Sequence, residues 1–480
     1  MKKYLTLDEI QNDLRQGLID LPGLVSGYLL EINSRANLNA FLEVWGDEAL
    51  ERAAQIQDKI SKGTHGKLAG LVIAIKDNIC YRNHRVSASS KILGNFESLY
   101  NATVTERLIA EDAIIIGRTN CDEFAMGSSN ENSAFGPVHH PMDEKKVPGG
   151  SSGGSATAVA AGMCHAALGS DTGGSIRQPA SLTGVVGFKP TYGRVSRHGL
   201  IAYASSFDQI GTFTHSIADC ARITEVIAGA DDYDSTLSRR AVPELSKSLA
   251  FAGKARIALL ADPMNRPGLN PEVKARVEEI TGDLQSRGHI VEPVDFPYLD
   301  YVVPAYYVLT TAEASSNLAR FDGIHYGFRS EKAAGIDETY RKSRTEGFGE
   351  EVKRRIMLGT FVLSAGYYDA YYGRAQQVRN LIRLRTEEIL STFDFIMLPS
   401  TTNSAFDLGA NAKDPIAMYL EDIFTVQANL SGVPAISLPL GQKQDGMPFG
   451  VQVMGRMFGE AELLAFSEYL ALHYPVPGKN

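Results

Sequence analysis

Cysteine is scarce in this sequence, and its four copies do not fall into pairs. Cys80, Cys121, Cys164 and Cys220 lie 41, 43 and 56 residues apart in a chain of 480. Such gaps make neither a CxxC metal clip nor the dense framework of a disulfide-stapled secreted domain, so a reducing compartment is expected. Long apolar runs are missing too. No stretch approaches the ~18 uninterrupted apolar residues of a membrane-spanning helix. The opening MKKYLTLDEIQNDL turns polar and acidic after its second lysine, unlike a signal peptide's apolar core or an arginine-rich transit segment. An excess of basic residues is also absent. The formal net charge is −9, so any contact with nucleic acid would need a local patch or a partner subunit.

Several chemistries are excluded by what the glycines, histidines and serines fail to spell. Neither GGSSGGS (149–155) nor DTGGS (171–175) matches the GxxxxGK[ST] phosphate loop or the GxGxxG dinucleotide turn. His139-His140 sits outside any HExxH pattern and reads as a polar loop pair. GGSSG (149–153) fits the bare GxSxG string about Ser151, but nothing in the sequence pairs His165, His198 or His215 with a serine, as a hydrolase of that type requires.

What the chain does have is an alternation of short apolar runs and amphipathic segments. Runs at 70–75, 113–117, 163–168, 185–188, 256–260, 289–294, 393–398, 435–440 and 449–454 read as buried strands. Helical patterns are expected at 103–112, 152–162, 176–182, 216–228, 271–286 (with Pro at its start), 350–391 with a break, and 460–473. Thr6 to Glu9 spells a capping box. Mixed alternation of this kind predicts an α/β fold, one large mixed β-sheet covered by helices on both faces. We read 1–480 as one domain, with 1–65 as an N-terminal helical layer and 298–349 as a helical insertion. The segment 120–141 has little periodicity and many small polar residues, as binding loops do.

Serine chemistry without a histidine needs another base, and a desolvated lysine can supply it. Burial can lower a lysine pKa by ~3–5 units when complete. Lys76 directly follows the buried run 70–75; by position alone it is either an exposed strand end or a buried functional amine. Ser152 and Ser155 read as capping and packing residues.

Lys76, the GGSSGGS string around Ser151 and the DTGGSIRQPA string around Ser175 together resemble the amidase-signature family, and the resemblance covers nearly the whole chain. It implies that family's fold and its Ser–cis-Ser–Lys triad. Ser175 would be the nucleophile that forms an acyl-enzyme. Ser151, following a cis Gly150–Ser151 peptide, would bridge it to a neutral Lys76. Backbone N–H groups of Thr172, Gly173, Gly174 and Ser175 would form the oxyanion hole. Further strings, among them MGSSNENSAFGP, GFKPTYGRVSRHGL, EVKRRIMLGTF and SAGYYDAYY, are similar to the branch of the family that serves tRNA-dependent amidotransferases. That implies glutamine as substrate, with Arg355 on its carboxylate, Asp422 on its ammonium, Tyr306 closing the pocket and Ser128 as a further contact. A helix-surface cation at 355 and a helix-surface acid at 422 are the plainer alternatives. The same resemblance implies a cytoplasmic heterotrimer with B and C subunits and no membrane contact. No cofactor is expected on this chain; ATP and Mg²⁺ would act on the B subunit, which activates the glutamyl-tRNA and receives the ammonia. The alternative is a stand-alone amidase acting on another small or acyl amide.

Overall fold

Eleven strands join a single mixed sheet in the computed structural model, which describes residues 2–411 and 414–476. They are β1 (Phe41–Val44), β2 (Val72–Lys76), β3 (Ile114–Thr119), β4 (Ala166–Asp171), β5 (Val186–Lys189), β6 (Gln209–Thr214), β7 (Arg256–Leu260), β8 (Ile290–Val294), β9 (Phe395–Pro399), β10 (Ala435–Gln442) and β11 (Pro448–Met454). Their order across the sheet is β1-β3-β2-β4-β6-β5-β10-β11-β9-β7-β8. β3, β2 and β4 run parallel near one end, as β9, β7 and β8 do at the other, and antiparallel pairs join the two groups. β2, β3 and β4 are buried along their whole length, as strands covered by helices on both faces must be. The edge strand β8 is largely solvent-exposed, with Val291 alone buried.

Two strands have no apolar run to betray them. β6 reads QIGTFT, yet every residue in it is buried. Its polar side chains are sequestered because the strand lies mid-sheet between β4 and β5. β1 reads FLEV and lies within the expected helical layer, where it pairs antiparallel to β3 as an edge strand. The N-terminal layer is therefore three helices with one strand threaded among them.

Helix ends follow local chemistry. Thr6 and Glu9 form the reciprocal capping box in full. The helix Pro271–Ser286 starts where Asn270 caps it and proline occupies its first turn. The break expected within 350–391 is a π-helical turn, Tyr368–Gly373, between the helices Glu350–Val362 and Arg374–Thr392. Leu299–Asn317, a 19-residue helix with Pro304 inside it, buries more than half of its residues.

The parallel pairing of β2 with β4 aligns Ile73, Ala74 and Ile75 with Ala166, Ala167 and Leu168. Lys76 and Asp171, the last residues of these strands, are therefore brought to the same end of the sheet. Ligands of α/β sheets bind outside such carboxyl ends. No described helix is long and apolar enough to cross a membrane.

Candidate active site

Lys76 is fully buried, and its ammonium nitrogen stands among three serine hydroxyls. Nζ lies 2.8 Å from Ser151 Oγ, 2.9 Å from Ser152 Oγ and 3.0 Å from Ser170 Oγ. Burial lowers its pKa below the ordinary lysine range, against the pull of Cys121, Asp122, Asp208 and Asp171. An amine whose pKa is lowered and whose neighbours are hydroxyls is equipped to take a proton from one of them. Of these neighbours Ser170, whose Oγ also accepts from Asn78 Nδ2 at 2.9 Å, escaped sequence reasoning. The signal was a serine followed by an aspartate closing an otherwise small apolar strand, AALGSD. Ser152 differs from expectation: its side chain caps no helix but accepts from Lys76 and donates to the Ser170 carbonyl. Ser155 is a packing residue, donating to Leu168 O and meeting Thr119 Oγ1 at 2.7 Å.

The Gly150–Ser151 peptide is cis. Ser175 follows β4 on a tight loop and is 5 % exposed. Its carbonyl accepts from the Ser152 N–H at 3.3 Å, which draws the two serine clusters together. Glycine is required within this loop. At Gly174 φ is +138°, and a Cβ would stand 2.1 Å from Thr425 Oγ1; at Gly173 it would meet the Tyr306 ring at 2.6 Å. One of the four expected oxyanion donors is already engaged: the Gly174 N–H donates to Asp171 Oδ1 at 2.9 Å. In this conformation that N–H is aimed at a buried carboxylate and is not free for an oxyanion.

Asp171 and Arg177 bracket this loop. Arg177 Nε and Nη2 donate to the two Asp171 oxygens at 3.0 Å each, and the same guanidinium reaches Thr425 O, Asn429 Oδ1 and Gln452 Oε1. Gln178 receives the Gly150 N–H at 3.0 Å and donates to the Ser128 carbonyl at 2.9 Å. It thereby ties the Ser151 segment to the loop 120–141.

The four residues expected to hold substrate are all buried. Ser128 Oγ donates to Asp422 Oδ2 at 2.6 Å, while Asp422 Oδ1 has no partner. Burial pushes the Asp422 carboxyl up to about 8. Arg355 donates from Nε to Glu351 Oε1 at 2.8 Å and from Nη1 to Tyr203 Oη at 2.9 Å. It is not a surface cation. Its guanidinium carbon stands 5.0 to 5.6 Å from the ring centres of Tyr307, Tyr419 and Tyr203. Tyr306 packs edge-on against Phe207 and Tyr307 beneath the Ser175 loop. Among the described residues no cluster of three His, Cys, Asp or Glu is placed to hold a metal.

Comparison with known proteins agrees with this geometry. The chain is 50 % identical over 462 residues to the glutamyl-tRNA(Gln) amidotransferase A-type chain of Koribacter versatilis, with 96 % of each chain covered. It is 48 % identical to the protein of the same name from Chlorobium phaeobacteroides, over 97 % of this chain and 98 % of that one. The crystal structure of the corresponding glutamyl-tRNA(Gln) amidotransferase chain from Thermotoga maritima matches with a TM-score of 0.79 at 39 % identity, covering 98 % of this chain and 95 % of that one. The peptide amidase of Stenotrophomonas maltophilia matches with a TM-score of 0.83 at 28 % identity, covering 98 % and 97 %. A model of the amidase family spans residues 24–464. By sequence, by fold and by the residues gathered around Lys76, the chain belongs to the amidase family.

Proposed function

We propose that this chain is the glutamine-hydrolysing subunit of a tRNA-dependent amidotransferase. The observation that carries the substrate is the pairing, near one nucleophile loop, of a buried carboxylate oxygen without a partner and a buried guanidinium. Asp422 Oδ1 is suited to an ammonium, and Arg355 to a carboxylate. Free glutamine presents both groups. A neutral acyl amide without an ammonium would leave Asp422 Oδ1 without a partner in a buried site. The naming of relatives that match over nearly their full length supports the same reading.

In this reading Ser175 Oγ attacks the glutamine side-chain carbonyl. Its proton passes to Ser151, whose own proton moves to Lys76 across the 2.8 Å contact. The oxyanion is met by backbone N–H groups of Thr172, Gly173 and Ser175, where losing one donor costs ~10²–10³ in kcat. Collapse breaks the C–N bond, the relay returns its proton to the nitrogen, and ammonia leaves. Water then attacks the ester on Ser175 along the same relay and releases glutamate. Ser128 orients Asp422, and the Tyr306 ring walls the pocket below Gly173.

The ammonia would serve a companion subunit that uses ATP and Mg²⁺ to activate glutamyl-tRNA, with a second small subunit bracing the pair. The assembly would be a cytoplasmic heterotrimer. An acidic chain fits this division, since the tRNA surface then lies on a partner. The test is to co-express the chain with its two companions and assay conversion of glutamyl-tRNA(Gln) to glutaminyl-tRNA(Gln). Ser175→Ala should abolish the glutamine-driven reaction while ammonium chloride still supports it. Glutamine-driven conversion by Ser175→Ala at the parent rate would overturn the proposal.

A further inference from the structure

The guanidinium of Arg355 is held by an ordered chain of hydrogen bonds that passes through Tyr203. Arg355 Nη1 donates to Tyr203 Oη at 2.9 Å. Tyr203 Oη donates to Thr310 Oγ1 at 2.9 Å, and Thr310 Oγ1 donates to the carbonyl of Tyr306 at 2.8 Å. Every hydroxyl in the chain donates once and accepts once, so the direction of each bond is set by the next. Arg355 can only donate, which orients the series at one end. The Tyr306 carbonyl can only accept, which orients it at the other.

Tyr203 is anchored through its backbone as well. Its N–H donates to Asp208 Oδ2 at 3.0 Å, and Asp208 Oδ1 receives the hydroxyl of Thr172 at 2.6 Å. Its carbonyl accepts from Asn317 Nδ2 at 3.2 Å. Tyr203 thus stands between the residue that opens the Ser175 loop and the arginine of the substrate pocket. It is 1 % exposed. With Nε on Glu351 and Nη1 on Tyr203, the Nη2 end of the guanidinium remains for a ligand.

We infer that Tyr203 is a positioning residue for substrate recognition, its hydroxyl fixing which end of Arg355 meets the α-carboxylate of glutamine. The inference rests on the glutaminase reading above and adds to it a determinant of selectivity for amides that carry a carboxylate. Without the hydroxyl, Arg355 Nη1 loses its acceptor in a buried site. The guanidinium is then anchored at Nε by Glu351 alone, and its Nη1 end is no longer fixed.

The experiment compares Tyr203→Phe and Arg355→Lys with the parent, in the assembled complex, on two substrates. One is glutamine; the other is 4-aminobutanamide, which is glutamine without its α-carboxylate. Ammonia release gives KM and kcat for each, and thermal unfolding of each variant reports on the fold. For Tyr203→Phe the expected result is a KM for glutamine raised about tenfold, as for loss of one hydrogen bond to a charged group. Its kcat should stay within about twofold of the parent, and kcat/KM for 4-aminobutanamide should be unaltered, because an oriented Arg355 has nothing there to bind. An equal loss on both substrates would overturn the inference in favour of a merely structural tyrosine, and so would no loss on either. If Arg355→Lys also fails to separate the two substrates, the carboxylate pocket itself is misassigned and the glutaminase reading falls with it. If Arg355→Lys separates them and Tyr203→Phe does not, only the inference about Tyr203 falls.

Discussion

Asp171 and Arg177, six residues apart, clasp each other in a fully buried bidentate ion pair with Ser175 between them. Both parallel bonds measure 3.0 Å, and both side chains are wholly excluded from solvent. Neighbouring backbone groups complete the arrangement, since Asp171 also receives the N–H groups of Gly174 and Ile176 on either side of Ser175. Burial would raise the Asp171 pKa, but Arg177, helped by Lys189 and Asn429, holds it below the usual carboxylate range.

Arg177→Met should therefore strand a buried carboxylate. Breaking such a pair by removing one partner typically costs ~3–5 kcal/mol. Urea unfolding should show that loss, and ammonia release from glutamine should fall with it, since the Ser175 loop loses its clasp. A stability within about 1 kcal/mol of the parent would mean that Asp171 finds other partners.

Lys76→Met should abolish the base while filling the same space. General-base catalysis is worth ~10²–10⁴ in rate, so kcat for glutamine should drop by that factor while the circular dichroism spectrum is retained. The pH profile carries the sharper test. Because burial lowers the Lys76 pKa, kcat/KM in the parent should rise with pH as the amine loses its proton. It should level off below the ordinary lysine value of 10.5. A lysine with a depressed folded pKa also makes the fold less stable on the acid side of its unfolded pKa, a penalty that shrinks as pH rises. The methionine variant should lack that slope. A flat rate profile in the parent would point to a different base.

Asp422→Asn separates binding from stability. The carboxyl is pushed up to about 8 from an ordinary 3.8. Between those values the folded state binds the extra proton, so stability is fully present below the unfolded pKa and is lost as pH rises through about 8. Asparagine, which stays neutral, should match the parent in Tm at acidic pH and exceed it by about pH 8. The same change should raise the KM for glutamine about ten- to a hundredfold, as a lost charge-assisted hydrogen bond does. A Tm difference that does not grow with pH would show that Asp422 is ionised throughout.

Gly174→Ala tests the loop itself. With φ at +138° and Thr425 Oγ1 only 2.1 Å from the added Cβ, the loop must shift, and the donors on either side shift with it. We expect a fall in kcat of about a hundredfold, comparable to loss of one oxyanion donor. Thr425→Gly, introduced alongside, removes the obstructing hydroxyl and should recover part of the rate. No recovery would place the damage in the backbone conformation alone.

Strand positions were legible wherever a strand contains a short apolar run. β2, β3, β7 and β10 each contain the stretch expected of them or most of it. β6 was not legible, because QIGTFT is buried by its place in the sheet and not by its own hydrophobicity. β1 was hidden inside a helical pattern because an edge strand of four residues leaves too short a period to register. Within the site, Lys76, Ser151 and Ser175 stood out through the resemblance of their strings to the amidase-signature family; position alone left Lys76 as either an exposed strand end or a buried amine. Ser152 could not be told from a helix cap, since the same serine at the same position serves either role until its hydroxyl has a direction.

The sequence by itself determined the class of fold, the two glycine-serine loops, and the lysine at the end of a buried run. Each of these depends on local chemistry: periodicity, the space a Cβ occupies, and the polarity of a strand end. Tertiary structure alone decided which groups share a charge or a proton. Lys76 meets Ser151 across 75 residues, Ser128 meets Asp422 across 294, and Arg355 meets Tyr203 across 152. It also decided that the Gly174 N–H serves Asp171 and that Tyr203 stands behind Arg355. Such assignments turn on a few tenths of an ångström between chain segments that only the assembled sheet and its covering helices bring together.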